Sequence, residues 1–358
     1  MRSRLVAWVV AGALVAACPA QATPREWREE SEKTVDQGRI RSVEITNSRG
    51  RVELSPSPDG KIHVRALKIV RSHDPEKAQT MARGITVQTD TQDDRFTVEV
   101  FYQKRHTIKI GFWDIFKVDG VSYPRYEVRI ACQVPPGVAV SVRETSGDVR
   151  SDGVTGRQEL RSTSGDVDVR SPGARVEAHS TSGDVNASGL KDALVRTVSG
   201  DIVVRDVSGP LRAQSTSGRI TVTGAADSLA LNTVSGDIRA EGTPRGLDAG
   251  TTSGGVTARG LSGRVKVSST SGDVRIDVKG PLRGLDASSS SGSIRLQLDP
   301  SIACALDMRT SSGTLEASLP MEMRTVTRRN VSGTIRGGRT PVVLHTSSGD
   351  ITVAGGGQ

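Results

Sequence analysis

The chain has 358 residues, 35% hydrophobic and 25% charged, with 39 glycines and a formal charge of +8. That length gives a prior of about two domains, and the balance excludes an acidic disordered chain, while so much glycine implies frequent turns. All ten aromatic residues lie at or before Tyr126, so residues 127–358 hold none, and a thin core of small aliphatic side chains must be repeated there instead of one globular core.

Residues 1–22 follow the pattern of a secretory signal peptide: Arg2 and Arg4, an apolar run from Leu5 to Ala17, then Ala20-Gln21-Ala22. The run is shorter than the roughly 20 residues that a membrane span needs, and no later stretch approaches that length. The sequence therefore predicts an exported protein of the periplasm, cell surface or extracellular space without a transmembrane helix. Val15-Ala16-Ala17-Cys18 also resembles a lipobox that would anchor the chain through Cys18, but Pro19 follows directly and the cut after Ala22 is favoured.

Residues 23–140 read as a β-rich N-terminal capping region. Strands are expected at Lys61 to Val70, Ile85 to Thr89, Phe96 to Gln103 and Tyr126 to Val134, where β-branched residues concentrate. One short helix is expected near 75–83, with Asp74 as its cap, Pro75 in its first turn and Gly84 at its exit. Residues 40–54 place Val43, Ile45, Val52 and Leu54 around Gly50 in the spacing of a degenerate first coil. Phe112, Trp113, Phe116, Tyr123 and Tyr126 cluster around Gly111 and Gly120, and read as a cap over an open sheet edge in preference to a binding patch.

From 141 to 358 a Ser-Gly pair recurs, with its glycine at 147, 165, 183, 200, 218, 236, 254, 272, 292, 313, 333 and 349. Counting from that glycine, position plus two is apolar throughout, from Val149 and Val167 to Ile335 and Ile351. Minus seven is apolar except at Gln158, and minus five is apolar except at Arg328. The period of two predicts that minus seven, minus five, minus three and minus one face inward on one strand, and plus two and plus four on the next. The fold class is thus all-β: a single-stranded parallel β-solenoid of about 12 coils of 16–21 residues, following a mixed, mostly β N-terminal region.

Minus one is Ser in every unit, and minus three is Ser or Thr except at Glu144 and Asn330. Stacked hydroxyls can bond along the ladder or to the bending backbone. A nucleophilic Ser would need a base, and His179 and His345 are the only histidines after residue 140, so no catalytic residue is assigned. The corner glycine is expected to supply a positive φ. Plus one is often Asp, as at 148, 166, 184, 201, 237, 273 and 350, which reads as turn capping balanced by the plus-three arginines Arg150, Arg239, Arg275, Arg295 and Arg336 in preference to a calcium column.

Cys132 and Cys304 are separated by many units and read as unpaired thiols. From Ser141 onward 26 Lys and Arg face 23 Asp and Glu, interspersed, which argues against nucleic-acid binding. No dinucleotide, phosphate-loop or metal motif appears, so no cofactor or metal is expected.

The run Thr163-Ser164-Gly165-Asp166-Val167, repeated at Thr181-Ser182-Gly183-Asp184-Val185 and Thr270-Ser271-Gly272-Asp273-Val274, resembles the DUF4097 family of bacterial β-strand-repeat proteins, labelled adhesins by architectural analogy. Val134-Pro135-Pro136-Gly137-Val138 is similar to that family's entry to its repeats, and the likeness covers about residues 38 to 354. It implies an exported β-solenoid of unassigned biochemistry. The favoured function is a non-enzymatic envelope or surface protein binding an unidentified polymer or protein. Two alternatives stand beside it: a β-helix polysaccharide lyase or hydrolase using the longer coils between Gly272 and Gly333, and an accessory protein of an envelope stress-sensing system.

Overall fold

The computed structural model describes residues 9–10, 25–72, 74–102, 125–242 and 245–355. The expected signal peptide apart from Val9 and Val10, Cys18, and the aromatic residues from Phe112 to Tyr123 lie outside the described residues. The chain divides into two compact units, Met1–Gly165 and Asp166–Gln358. Both are built of strands, and among the described residues the only α-helix is Pro75–Arg83. No helix there is long and apolar enough to cross a membrane.

The first unit mixes pairing directions. Strand Arg25–Asp36 runs antiparallel to Lys61–Ser72, which runs antiparallel to Arg125–Val134. Helix Pro75–Arg83 follows, its start held by the Asp74 carboxylate, which accepts the Glu76 N–H at 3.0 Å. Gly84 closes it by donating to the Thr80 and Met81 carbonyls, and Ala78 and Ala82 are buried. Ser42–Pro56 then pairs in parallel, residue for residue, with Ala139–Asp152: Val43 with Val140, Ile45 with Val142, Gly50 with Gly147 and Val52 with Val149. The corner at Gly50 is therefore stacked against the corner at Gly147.

The second unit is a parallel ladder in which equivalent residues of successive repeats are neighbours. Val167, Val185, Ile202, Ile220, Ile238, Val256, Val274 and Ile294 form one continuous column, each fully buried. Val176, Ala193, Leu211, Leu229, Leu247, Val265 and Leu285 form a second. Each repeat contributes a half-apolar face that only its neighbours can cover, so the core is a stack of aliphatic tiers. The plane of the sheet leaves outward residues, at minus eight, minus six and minus four, free to vary.

Sequence order and spatial order part company near the C-terminus. Thr340–Ser348 pairs with Val274–Ser291 on one side, Leu285 beside Val342, and with Cys304–Ser312 on the other, Leu306 beside Val342. Ile351 likewise lies between Ile294 and Leu315. The coil bearing Gly349 thus sits between those bearing Gly292 and Gly313, and the expected stacking of consecutive corners fails here. The unit at Gly333 is not a parallel coil either. Asn330–Ile335 runs antiparallel to both Cys304–Ser312 and Glu322–Val326, making a hairpin. The two departures in that unit, Arg328 and Asn330, belong to this hairpin and its turn, so they never had an inward coil position to fill.

Candidate functional site

The recurring corner is the first candidate, because it concentrates Ser, Gly and Asp. The minus-three hydroxyl points inward and donates to the corner-glycine carbonyl of the preceding coil: Thr197 to Gly183 at 3.0 Å, Thr233 to Gly218 at 3.1 Å, Thr251 to Gly236 at 3.0 Å and Ser269 to Gly254 at 3.0 Å. Each bond satisfies a buried hydroxyl and an acceptor that the turn removes from the strand ladder. The minus-one serines differ from expectation. Ser164, Ser182, Ser217 and Ser235 are exposed, since inward alternation ends at minus three where the chain begins to turn.

The glycine itself is required for a reason other than φ. Among the described corner glycines only Gly50 and Gly313 have φ in the left-handed range, at 134° and 153°. What excludes a side chain is the stacking: a Cβ on Gly218 would lie 1.8 Å from the Gly200 carbonyl oxygen, and one on Gly236 2.1 Å from that of Gly218. Plus-one aspartates bind the next coil. The Asp166 carboxylate accepts the Asp184 N–H at 2.9 Å, Asp184 accepts that of Asp201 at 2.8 Å, and Asp201 accepts that of Arg219 at 2.8 Å. Plus-three arginines stand near these carboxylates, Arg275 2.8 Å from Asp273 and Arg239 3.6 Å from Asp237. At the Gly313 corner the Asp350 carboxyl is held below the usual carboxylate range by hydrogen bonds from the side chain and backbone of Thr314. Among the described residues no group of three or more His, Cys, Asp or Glu is arranged to hold a metal.

The corner is therefore structural chemistry. His345 sits on the outward minus-four column, exposed. Cys132 and Cys304 are free and buried, and burial pushes their thiols up to about 12 and about 11, which leaves little reactive thiolate at neutral pH. The extra length of the coil leading to Gly292 is absorbed in one continuous strand, Val274–Ser291.

The second candidate is a concavity of about 730 Å3 on the outward face of the second unit. Its rims carry Arg175, Arg196, Arg212, Arg264 and Lys266, all exposed, against the two carboxylates Asp192 and Asp248. Its floor is low because the outward columns become small there, with Ser228, Ala230 and Gly246 between the bulkier Leu194 and Lys266. Arg175 lies 3.4 Å from both Glu177 and Asp192, and Arg196 Nε donates to Gln214 Oε1 at 2.9 Å. Arg212, Arg264 and Lys266 form no ion pair among the described residues. The volume falls in the range of ligand sites, but the lining is charged at its rims and open to solvent. Reading inward columns alone misses this feature; its signal is a run of basic residues at minus eight, minus six and minus four.

The family model described as Toastrack DUF4097 matches residues 40–245 and 190–354. The chain belongs to the Toastrack family. No curated protein matches it. Solved structures that resemble this Toastrack chain include a protein of Parabacteroides distasonis provisionally described as lipid binding, 14% identical over 91% of this chain and 96% of that one, with a TM-score of 0.36. Two others are provisionally described as adhesins. The one from Bacteroides fragilis is 13% identical over 94% and 100% of the two chains with a TM-score of 0.31, and the one from Parabacteroides merdae 12% identical over 75% and 95% with a TM-score of 0.30.

One departure from the Toastrack repeat gathers polar groups in the first unit. Glu144 occupies a minus-three position, beside Asn47 in the neighbouring strand, and is 4% exposed. Burial pushes its carboxyl up to about 7, an effect that the Asn47 amide and the Ser146 and Thr145 N–H groups only partly offset. The Tyr102 hydroxyl donates to Asn47 Oδ1 at 2.6 Å, its ring lies 5.3 Å from that of Tyr126, and Arg49 stands over the Tyr126 ring at 5.0 Å.

Proposed function

We propose that this Toastrack chain is an exported, non-enzymatic protein of the cell envelope or surface that retains a polymer or protein partner on the outward face of its parallel ladder. Residues 1–22 serve as its signal peptide, 23–140 as a β-rich capping region, and 141–358 as the repeat domain. The observation that carries the reading is the cation-rimmed concavity of the second unit. It presents three basic side chains that form no ion pair among the described residues, on a scaffold whose backbone groups are already bonded between coils. Such an array attracts a ligand from solution and costs little to organise, because the strands beneath it are fixed.

The test is retention of envelope material by the mature protein immobilised on resin, with parallel assays for polymer breakdown. Retention without breakdown is expected. Steady cleavage of an acidic polysaccharide, abolished by single Asp substitutions, would replace this reading with a hydrolase or lyase.

A further inference from the structure

We infer that the concavity between Arg212 and Lys266 is a binding site for an acidic polysaccharide, an unbranched glycan whose carboxylates meet the two basic rims. The inference rests on the binding function proposed above and names its ligand class.

Three features of the site favour that ligand. The first is charge. Five cations face two carboxylates, and Arg212, Arg264 and Lys266 form no ion pair among the described residues, so an anion does not have to displace a partner there. Arginine and lysine that are exposed yet anchored on a sheet bind carboxylates through charge-assisted hydrogen bonds.

Spacing is the second. Residues in register on adjacent coils, such as Arg212 beside Ala230, Ala230 beside Asp248 and Asp248 beside Lys266, are about 4.8 Å apart along the ladder. The rims at Arg212 and Lys266 are therefore three steps, or about 14 Å, apart. A pyranose unit in an extended glycan advances by a distance similar to one coil step, so sugar residues and coils stay in phase across the dip. Uronate units at the two ends then face the rims, while those between them cross Ala230 and Asp248. Asp248, one step from Lys266, disfavours a carboxylate on the unit that faces it, so the attraction comes from the carboxylates that meet the rims.

The third is what the site lacks as a peptide receptor. Its main-chain N–H and C=O groups are committed to the parallel ladder, so a peptide strand cannot add to it by backbone pairing. Its lining holds no aromatic side chain of its own, the kind of anchor that dominates protein–protein contacts.

Calorimetric titration of the full mature protein with a linear polyuronate tests this, with a neutral glucan and poly-glutamate as the other probes. The polyuronate is expected to bind, more weakly as salt rises, and the glucan to show no binding. Reversing both rims with Arg212→Glu and Lys266→Glu is expected to weaken polyuronate binding by about a hundredfold, on the order of tenfold for each charge. Arg239→Glu, on the plus-three column away from the concavity, is expected to leave it unchanged. If the reversed variant does not fold, Arg212→Gln with Lys266→Gln serves, with a loss of roughly tenfold expected. Equal binding of poly-glutamate would overturn the glycan assignment, and equal weakening by Arg239→Glu would overturn the site. Failure to bind polyuronate while envelope material is still retained overturns this inference and leaves the binding function standing; failure of both removes the function as well.

Discussion

The two units solve the same problem with different materials. The first closes its core with long strands of both directions, a helix and one fully buried aromatic ring, Phe96. The second has neither helix nor aromatic ring among its described residues and relies on columns of Val, Ile, Leu and Ala that cover one another tier by tier. A core that repeats does not need large side chains, because each tier is small and its edges are shared. It does need identical spacing at every step. Errors of spacing should therefore hurt the second unit most, and errors of chemistry the first.

The largest expected effect is at the corner. Gly236→Ala should cost about 4 kcal/mol or more, since its Cβ would collide with the Gly218 carbonyl, which already accepts the Thr233 hydroxyl. Denaturant unfolding monitored by circular dichroism measures it, and a cost below about 1 kcal/mol would show that the stacking relaxes easily. Next come the cores: Phe96→Ala in the first unit should cost about 3–5 kcal/mol and Ile220→Ala in the second about 2–4. Near-equal losses at Ile202, Ile220 and Ile238 would confirm that the tiers are equivalent, whereas a steep gradient would show unequal packing.

Chemistry rather than spacing is at issue in Glu144. Its folded-state pKa is about 7, above that of an unfolded carboxyl, so the native state keeps a proton that the unfolded chain has released. Stability falls as pH rises from about 4.5 to about 7, and the loss is complete above that. Glu144→Gln should therefore stabilise the first unit by roughly 2–3 kcal/mol at pH 8 and by almost nothing at pH 4. Paired melting curves at the two pH values decide the matter; a gain independent of pH would assign it to packing instead. The smallest contrast separates the two hydroxyl columns. Thr233→Val should cost about 1 kcal/mol through loss of its bond to Gly218, and Ser235→Ala less than about 0.5.

Most of the ladder was legible because a period of two leaves its mark on every unit. The columns through Val185 and Leu211 follow directly from the apolar positions at plus two and minus seven. The corner was harder. Ser at minus one and Ser or Thr at minus three look alike in sequence, yet only the latter is inward, because the turn begins between them. Glycine's two reasons, left-handed φ and close approach, are likewise indistinguishable without coordinates. The placement of the Gly349 coil could not be read at all: every coil offers the same register to every other, so sequence order does not dictate neighbours once the intervening segment is long enough. Arg328 and Asn330 were the available hint that the preceding unit had left the stack. The concavity depends on outward columns that obey no period, and only their basic run could have suggested it.

The insertion of Thr340–Gly355 between two coils made earlier in the chain bears on how the protein is assembled. A stack that grew one repeat at a time would be complete up to any point at which synthesis stopped. Here the open side of the Ile294 strand finds its mate only when residues 351–355 emerge, and the Leu315 strand waits on the same event. Residues 340–355 thus work as a keystone: without them the Ile294 and Leu315 strands must either leave their facing edges unpaired or meet each other directly.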